Sequence, residues 1–328
     1  MRIAVTGGTG FLGTQVVVRL VAAGHQVVVL SRAPAPNLER QGVQIVRGEL
    51  PDPQAADRLI GGAEAVVHLA GRVSRDPADG PAMYRLHVEG TRVLLEAALR
   101  TRVRRFVLAS SSGTIGVSRT DRIATEADPE PIETVGRWPY YLSKIYQERL
   151  ALSLGEKSGL PVVCLNPSLI LGPGDERLSS TGDIWRFLRR DIPAMPNGGL
   201  SFVDVRDVAA AFVAALDRGR PGDRYLLGGA NMTFREFFER LGRLTGVPPP
   251  RLRLPSRANI LGGALVERWA RFRGVAAPID RASVEMGEHW FYVDSSKARR
   301  ELDFSPRDPQ ETLRETVRWM KERFGAGS

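Results

Sequence analysis

Short apolar runs alternate with longer amphipathic stretches through the first half of the chain. The runs predict strands over Arg2–Thr6, Gln26–Ser31, Val43–Arg47, Ala65–Ala70, Arg105–Ser110 and Pro161–Leu165. Between them the helical period predicts helices near Gly13–Ala23, Ala55–Ile60, Met83–Arg100 and Pro139–Lys157. Wholly apolar strands that alternate with helices imply crossover connections and a parallel sheet covered on both faces. The fold class expected is therefore α/β, a doubly wound parallel sheet of Rossmann-like form.

After Asn166 the rhythm changes. Gly172-Pro173-Gly174-Asp175 opens a loop, and a short helix is expected around Asp183–Arg190. A strand at Leu200–Asp204 leads into a helix over Asp207–Arg218 and a strand at Arg224–Leu227. Helices are expected over Thr233–Thr245, Ser256–Arg273 and Pro309–Phe324, with Pro248-Pro249-Pro250 breaking the pattern between the first two. Residues 1–165 with about 200–230 are expected to form one domain. About 166–199 and 231–328 are expected to form a smaller, mostly helical lobe interleaved with it.

The first strand–turn–helix carries Thr6-Gly7-Gly8-Thr9-Gly10-Phe11-Leu12-Gly13. Gly7, Gly10 and Gly13, spaced by three, permit a tight turn and close approach of backbone to a pyrophosphate. The helix that follows presents free N–H groups and its positive dipole end to the anion. A dinucleotide site is the expectation, because the trio sits where an alternating fold places one. The second strand ends Leu30-Ser31-Arg32 with no acid until Glu39, and an arginine there can take a ribose 2′-phosphate where an acid would take the 2′-hydroxyl. Arg32 favours NADP(H), with NAD(H) as the alternative.

Candidate chemistry lies in Trp138-Pro139-Tyr140-Tyr141-Leu142-Ser143-Lys144 at a helix start. Tyr140 and Lys144 are four apart and share one helical face. A phenol with a pKa near about 10 is a poor acid–base group at neutral pH, and a neighbouring ammonium stabilises the phenolate. The same lysine can reach a nicotinamide ribose. A hydroxyl from Ser110-Ser111-Ser112, at the end of the fifth strand, can steady the charge on a reacting oxygen.

These motifs together resemble the short-chain dehydrogenase/reductase family in its extended branch, which carries T-G-x-x-G-x-x-G and Y-x-x-x-K. The resemblance covers essentially the whole chain and is nearest to dihydroflavonol 4-reductase-like, 3β-hydroxysteroid dehydrogenase-like and hopanoid-associated sugar epimerase-like proteins. It implies the turn residues Gly7, Thr9, Gly10, Phe11, Leu12 and Gly13 at the cofactor's phosphates. It implies Glu49 and Leu50 beside the adenine, although the family usually has aspartate at Glu49. Leu69, Ala70 and Gly71 would line the middle of the cofactor, and Pro167 and Leu169 would flank the nicotinamide. Counting back from Gly116, as in the related S-x-x-x-x-G pattern, selects Ser111 as the catalytic hydroxyl beside Tyr140 and Lys144, with Ser112 the alternative. Ser112 and Asn166 are expected at the substrate. His87 stands where the family usually has asparagine, and packing between helices is expected of it. A homodimer through the Met83–Arg100 and Pro139–Lys157 helices follows from the resemblance alone.

Composition narrows the remaining choices. The chain has 328 residues, 43% hydrophobic and 25% charged, as in ordinary globular proteins. No apolar run approaches the roughly 18 residues of a membrane span. Arg2–Val5 already reads as a strand, leaving no room for a secretory signal, so cytoplasm is expected. The single Cys164 excludes intramolecular disulfides and cysteine zinc sites, and no metal is expected. A net charge of +9 comes from scattered arginines without an aromatic-laced basic stripe, so nucleic acid is not the expected partner.

The function expected is NAD(P)H-dependent reduction of a carbonyl, or oxidation of a secondary alcohol, by Tyr-Lys-Ser chemistry. An apolar or aromatic substrate would follow if several of Trp185, Phe187, Trp269, Phe272, Trp290, Phe291 and Tyr292 lined one pocket. The alternatives are an NAD-dependent nucleotide-sugar epimerase or dehydratase, which needs cations for a diphosphate, and a non-catalytic NADP-sensing regulator.

Overall fold

A computed structural model describes residues 1–252, 255 and 281–325. Strands β1 (Arg2–Thr6), β2 (Gln26–Ser31), β3 (Gln44–Arg47), β4 (Ala65–His68), β5 (Arg105–Ala109), β6 (Val162–Pro167) and β9 (Arg224–Leu227) form one sheet in the order β3-β2-β1-β4-β5-β6-β9. Every pairing in it is parallel. All four residues of β4 and all six of β6 are buried, as strands covered on both faces must be.

Helices α1 (Phe11–Ala22) and α9 (Val205–Arg218) cover one face, where Val16, Val17 and Leu20 meet Val208 and Phe212. Helices α3 (Pro53–Ile60), α5 (Gly90–Thr101) and α7 (Pro139–Ser158) cover the other through Leu59, Leu94, Leu95 and Ala151. Burial of each such aliphatic side chain contributes about 1.5–3 kcal/mol, which sets the sheet's register against slippage. Short helices α2 (Pro36–Glu39), α4 (Gly80–Tyr84) and α6 (Ile132–Val135) fill connections.

The expected helix over Met83–Arg100 exists but is not uniform. Between α4 and α5, Arg85–Glu89 is a π-helical turn, and its wider winding turns His87 inward until it has no exposure.

A second sheet orders β10 (Ala230–Thr233), β8 (Gly199–Asp204) and β7 (Leu169–Leu171). With α8 (Gly182–Leu188), α10 (Phe234–Thr245) and the helix Pro309–Phe324 it encloses a separate core of Phe187, Phe202, Phe237, Phe238, Leu241 and Met320. The 200–230 stretch contributes to both sheets. β8 pairs in the small sheet, whereas α9 and β9 belong to the large one. Asp204 sits at this junction, capping α9 through the Arg206 N–H and holding the Arg206 side chain. Asp207 holds Arg307 with a contact of 2.7 Å. The expected Ser256–Arg273 helix lies outside the described residues.

Candidate active site

Between the C-terminal ends of the large sheet's strands and the small sheet runs one cleft of about 1910 Å³. The turn residues Gly7, Thr9, Gly10, Phe11, Leu12 and Gly13 line it, as do Arg32, Glu49, Leu50, Leu69, Ala70 and Gly71. Ser111, Ser112, Tyr140, Lys144, Pro167 and Leu169 complete the set that the chain brings together there.

The glycine turn is a cradle that side chains would fill. Gly7 has φ +70°, and a Cβ on Gly13 would lie 1.9 Å from the Gly7 carbonyl oxygen. Gly10 caps α1 with no side-chain hydrogen bond, so the first-turn N–H groups are presented to the cleft. At the other end Ser168 Oγ is buried, borders the cleft and has no partner among the described residues. A dinucleotide's phosphates at the turn and a polar head near Ser168 fit what is present. Ser168 was not anticipated as a site residue, because only its place between Pro167 and Leu169 could have marked it.

At the start of α7 the Tyr140 hydroxyl shares a hydrogen bond with Ser111, whose Oγ also accepts from the Gly113 N–H. Burial pushes the phenol above its ordinary value and the Ser111 bond pulls against it. The expected lowering by a neighbouring ammonium is not what the protein holds. Lys144 Nζ instead donates to the Ala109 carbonyl and to Gln147 Oε1, both at 2.9 Å. Burial draws the ammonium itself down to about 8, with Glu148 and Cys164 acting in the opposite direction.

His87 is fixed by two hydrogen-bond neighbours. Its Nδ1 lies 2.8 Å from Ser143 Oγ, which donates to the Tyr140 carbonyl, and its Nε2 accepts from the Arg72 N–H. Burial, with Lys144 and His68 nearby, holds its pKa well below the usual value, and the neutral ring leaves Nε2 able to accept. It braces the start of α7 against the loop after β4.

Asn166 departs from expectation. It has no exposure and does not line the cleft, because its Nδ2 is spent beneath it on Glu148 Oε2 at 2.6 Å and Thr114 Oγ1 at 3.0 Å. It holds the Ser111 loop from behind instead of reaching a substrate. Cys164 is buried, and burial pushes its thiol pKa well up, which keeps it protonated and inert.

Beyond Tyr140 and Lys144 the apolar part of the wall is Tyr141, Ile184, Trp185, Met195, Phe234, Phe237, Phe238 and Phe291. Of the aromatics singled out in the sequence, Trp185 and Phe291 are here. Phe187 is in the small-sheet core, Trp290 and Tyr292 pack on each other, and Trp269 and Phe272 fall outside the described residues. Arg75 also borders the cleft, joined to Asp183 by contacts of 3.1 and 2.7 Å and to Ser283 Oγ by one of 3.0 Å.

A parallel sheet in this strand order, a glycine cradle at β1 and a Tyr-x-x-x-Lys helix define an extended short-chain dehydrogenase/reductase, a nicotinamide-dependent enzyme. The chain belongs to the NAD dependent epimerase/dehydratase family, whose profile matches residues 3–228. It is 35% identical over 325 residues to a putative dihydroflavonol 4-reductase of Synechocystis sp., covering 97% of this chain and 94% of the relative. It is 33% identical to sterol demethylase protein B of Methylococcus capsulatus, covering 98% and 99%. Among solved structures, gox2253 superposes with a TM-score of 0.84 at 29% identity over 98% of both chains. MoeE5 in complex with UDP-glucose and NAD superposes with a TM-score of 0.76 at 25% identity, covering 99% and 100%. No helix among the described residues is long and apolar enough to cross a membrane.

Proposed function

We propose that this protein reduces a carbonyl, or oxidises the corresponding secondary alcohol, on a small apolar or aromatic substrate, with NADP(H) preferred. The observation that carries this reading is the cleft wall beyond Tyr140, where the half-buried rings of Tyr141, Trp185, Phe234 and Phe291 converge in front of the core residues Phe237 and Phe238. Such a surface rewards burial of an apolar body and offers little to a sugar diphosphate. Arg32 supports the NADP(H) preference, since it borders the cleft at the end of β2 and has no ion pair among the described residues.

A bound nicotinamide supplies or accepts the hydride. In the reducing direction the substrate oxygen becomes an alkoxide, oriented by the Ser111 hydroxyl and protonated by Tyr140. A phenol that burial holds protonated suits this direction, because an alkoxide is a far stronger base than a phenolate. Lys144, one helical turn on, has one N–H left for the cleft. Asn166 and His87 fix the serine loop and the helix on which these groups ride.

A second reading, an NAD-dependent sugar-nucleotide epimerase or dehydratase, is favoured by the likeness to MoeE5 and by the arginines Arg75, Arg177 and Arg186 at the cleft. Against it, the Arg75 fork is already committed to Asp183. NADPH oxidation across a panel of hydrophobic ketones separates the readings. Turnover that falls by roughly 10²–10⁴-fold in Tyr140→Phe, with NADPH binding retained, supports the reductase. Tightly bound NAD on purification and turnover of UDP- or dTDP-sugars would replace it with the epimerase, and NADPH binding with no turnover of either class would make it a sensor.

We further propose a second copy of this chain against α4 and α7. Tyr84 and Tyr146 meet edge to face at 6.4 Å there and are 44% and 41% exposed. Light scattering that gives only monomer at micromolar concentration removes the proposal.

A further inference from the structure

In a chain with 46 basic residues, lysine occurs four times, at Lys144, Lys157, Lys297 and Lys321. Lys144 is the one placed among buried groups, with 5% exposure. An ammonium in such a place is directed by whatever accepts its hydrogens. Two of its three go to the Ala109 carbonyl and to Gln147 Oε1, which leaves one for the cleft that Lys144 borders.

Gln147 is fully buried and lies three residues along α7, on the same face as Lys144. Its amide cannot turn over, because the other end is engaged. Nε2 donates to Thr91 Oγ1 at 2.8 Å, and Thr91 Oγ1 lies 2.8 Å from His68 Nε2. His68 Nδ1 is 2.6 Å from Thr6 Oγ1, and Thr6 Oγ1 accepts from the Ala70 N–H. Thr6 ends β1, directly before the glycine turn. A buried line of side chains therefore runs from the cofactor turn to the lysine, and every link short of Lys144 is neutral.

We infer that Gln147, oriented by Thr91 and His68, is a positioning residue that aims the Lys144 ammonium without cancelling its charge. The inference rests on the reductase reading for its kinetic consequence, although its geometry does not. A carboxylate at the same place would neutralise the ammonium, and an apolar side chain would leave it short of an acceptor. His68 can serve because burial and the nearby Lys144 draw its pKa to about 3, so the ring stays neutral beside the ammonium. The titratable groups that face Lys144 are Tyr140 and Glu148 on its own helix, Cys164 on β6, His87 on the π-helical turn and His68 on β4.

The sign of the pH effect follows. Lys144 titrates near about 8, below its unfolded value, so the charged form is present below that pH and is lost above it. Carbonyl reduction should be level below about pH 8 and fall above it, since the Tyr140 phenol titrates higher still. Gln147→Met should move the fall to lower pH by about one unit, the size of one charge-assisted hydrogen bond, and Gln147→Glu should move it to higher pH.

The test is an NMR titration of protein carrying ¹³C-labelled lysine, where Lys144 is assigned from the signal missing in Lys144→Met. The same variants are followed by NADPH oxidation against pH. Opposite shifts of the Lys144 midpoint in Gln147→Met and Gln147→Glu are expected. Thr91→Val, which frees the amide without touching it, should shift the midpoint in the same direction as Gln147→Met but less. It decides the matter should Gln147→Met not fold. A Lys144 midpoint unmoved in these variants overturns the inference. Shifted midpoints in a protein that reduces no carbonyl sink the reductase reading and leave the positioning of Lys144 standing.

Discussion

The two ends of the cleft are built by different means. At the cofactor end, the turn from Gly7 to Gly13 brings backbone to the surface, and Gly7 and Gly13 matter because they lack side chains. At the substrate end the surface is all side chain, drawn from α8, the loop at Met195, α10 and the segment at Phe291. A backbone site tolerates no change in its glycines, while a side-chain site is retuned one residue at a time. The first is what relatives with different substrates can hold in common, and the second is where their specificities can part.

Substitutions at the two ends should separate accordingly. The largest effect is expected of Gly13→Ala, whose methyl would meet the Gly7 carbonyl oxygen at 1.9 Å. NADPH affinity by fluorescence titration should fall on the order of 100-fold, as expected when a close-packed turn must open. Affinity within a factor of two of the parent would show that the turn is not where the cofactor sits. Next in size, Phe291→Ala removes a half-buried ring that lies 6.0 Å from the Tyr141 ring and borders the cleft. It should raise the KM for a hydrophobic ketone roughly 10–100-fold and leave NADPH binding alone. Loss of both together would mean that the two ends are not independent. The smallest shift is expected of Arg32→Ala, with the NADPH-over-NADH ratio of kcat/KM falling about 10-fold, the worth of one exposed charge-assisted contact. An unchanged ratio would return Arg32 to an ordinary surface arginine.

The same contrast explains what could be read from the sequence. The glycine turn, Tyr140 and Lys144 were legible because spacing within one element fixes their geometry. The large sheet was legible because its buried strands are continuous apolar runs. β7 and β10, of three and four residues, are too short to announce themselves beside loop sequence, so the pairing of β8 in a second sheet is not legible. The π-helical turn at Arg85–Glu89 left no mark in a helical period. Asn166 sits at a strand end where sites gather, but its direction depends on Glu148 and Thr114, which come from other segments. The raised phenol was missed for the same reason, since desolvation is a property of the assembled cleft. Gln147 could have been found from its place on the Lys144 face, although nothing local shows that Thr91 holds its other end.

The order of the large sheet has a consequence for how the protein is made. Its edge strand β9, with Tyr225, Leu226 and Leu227 buried, is synthesised only after the chain has left to lay down β7 and β8. A nascent chain halted near residue 165 would therefore carry β6 as an uncovered apolar edge, lacking both its neighbour and the α9 residues Val208 and Phe212 that seal the adjoining face. The large sheet cannot close on the ribosome until residue 227 has been made, and chaperone demand should peak in the interval between β6 and β9.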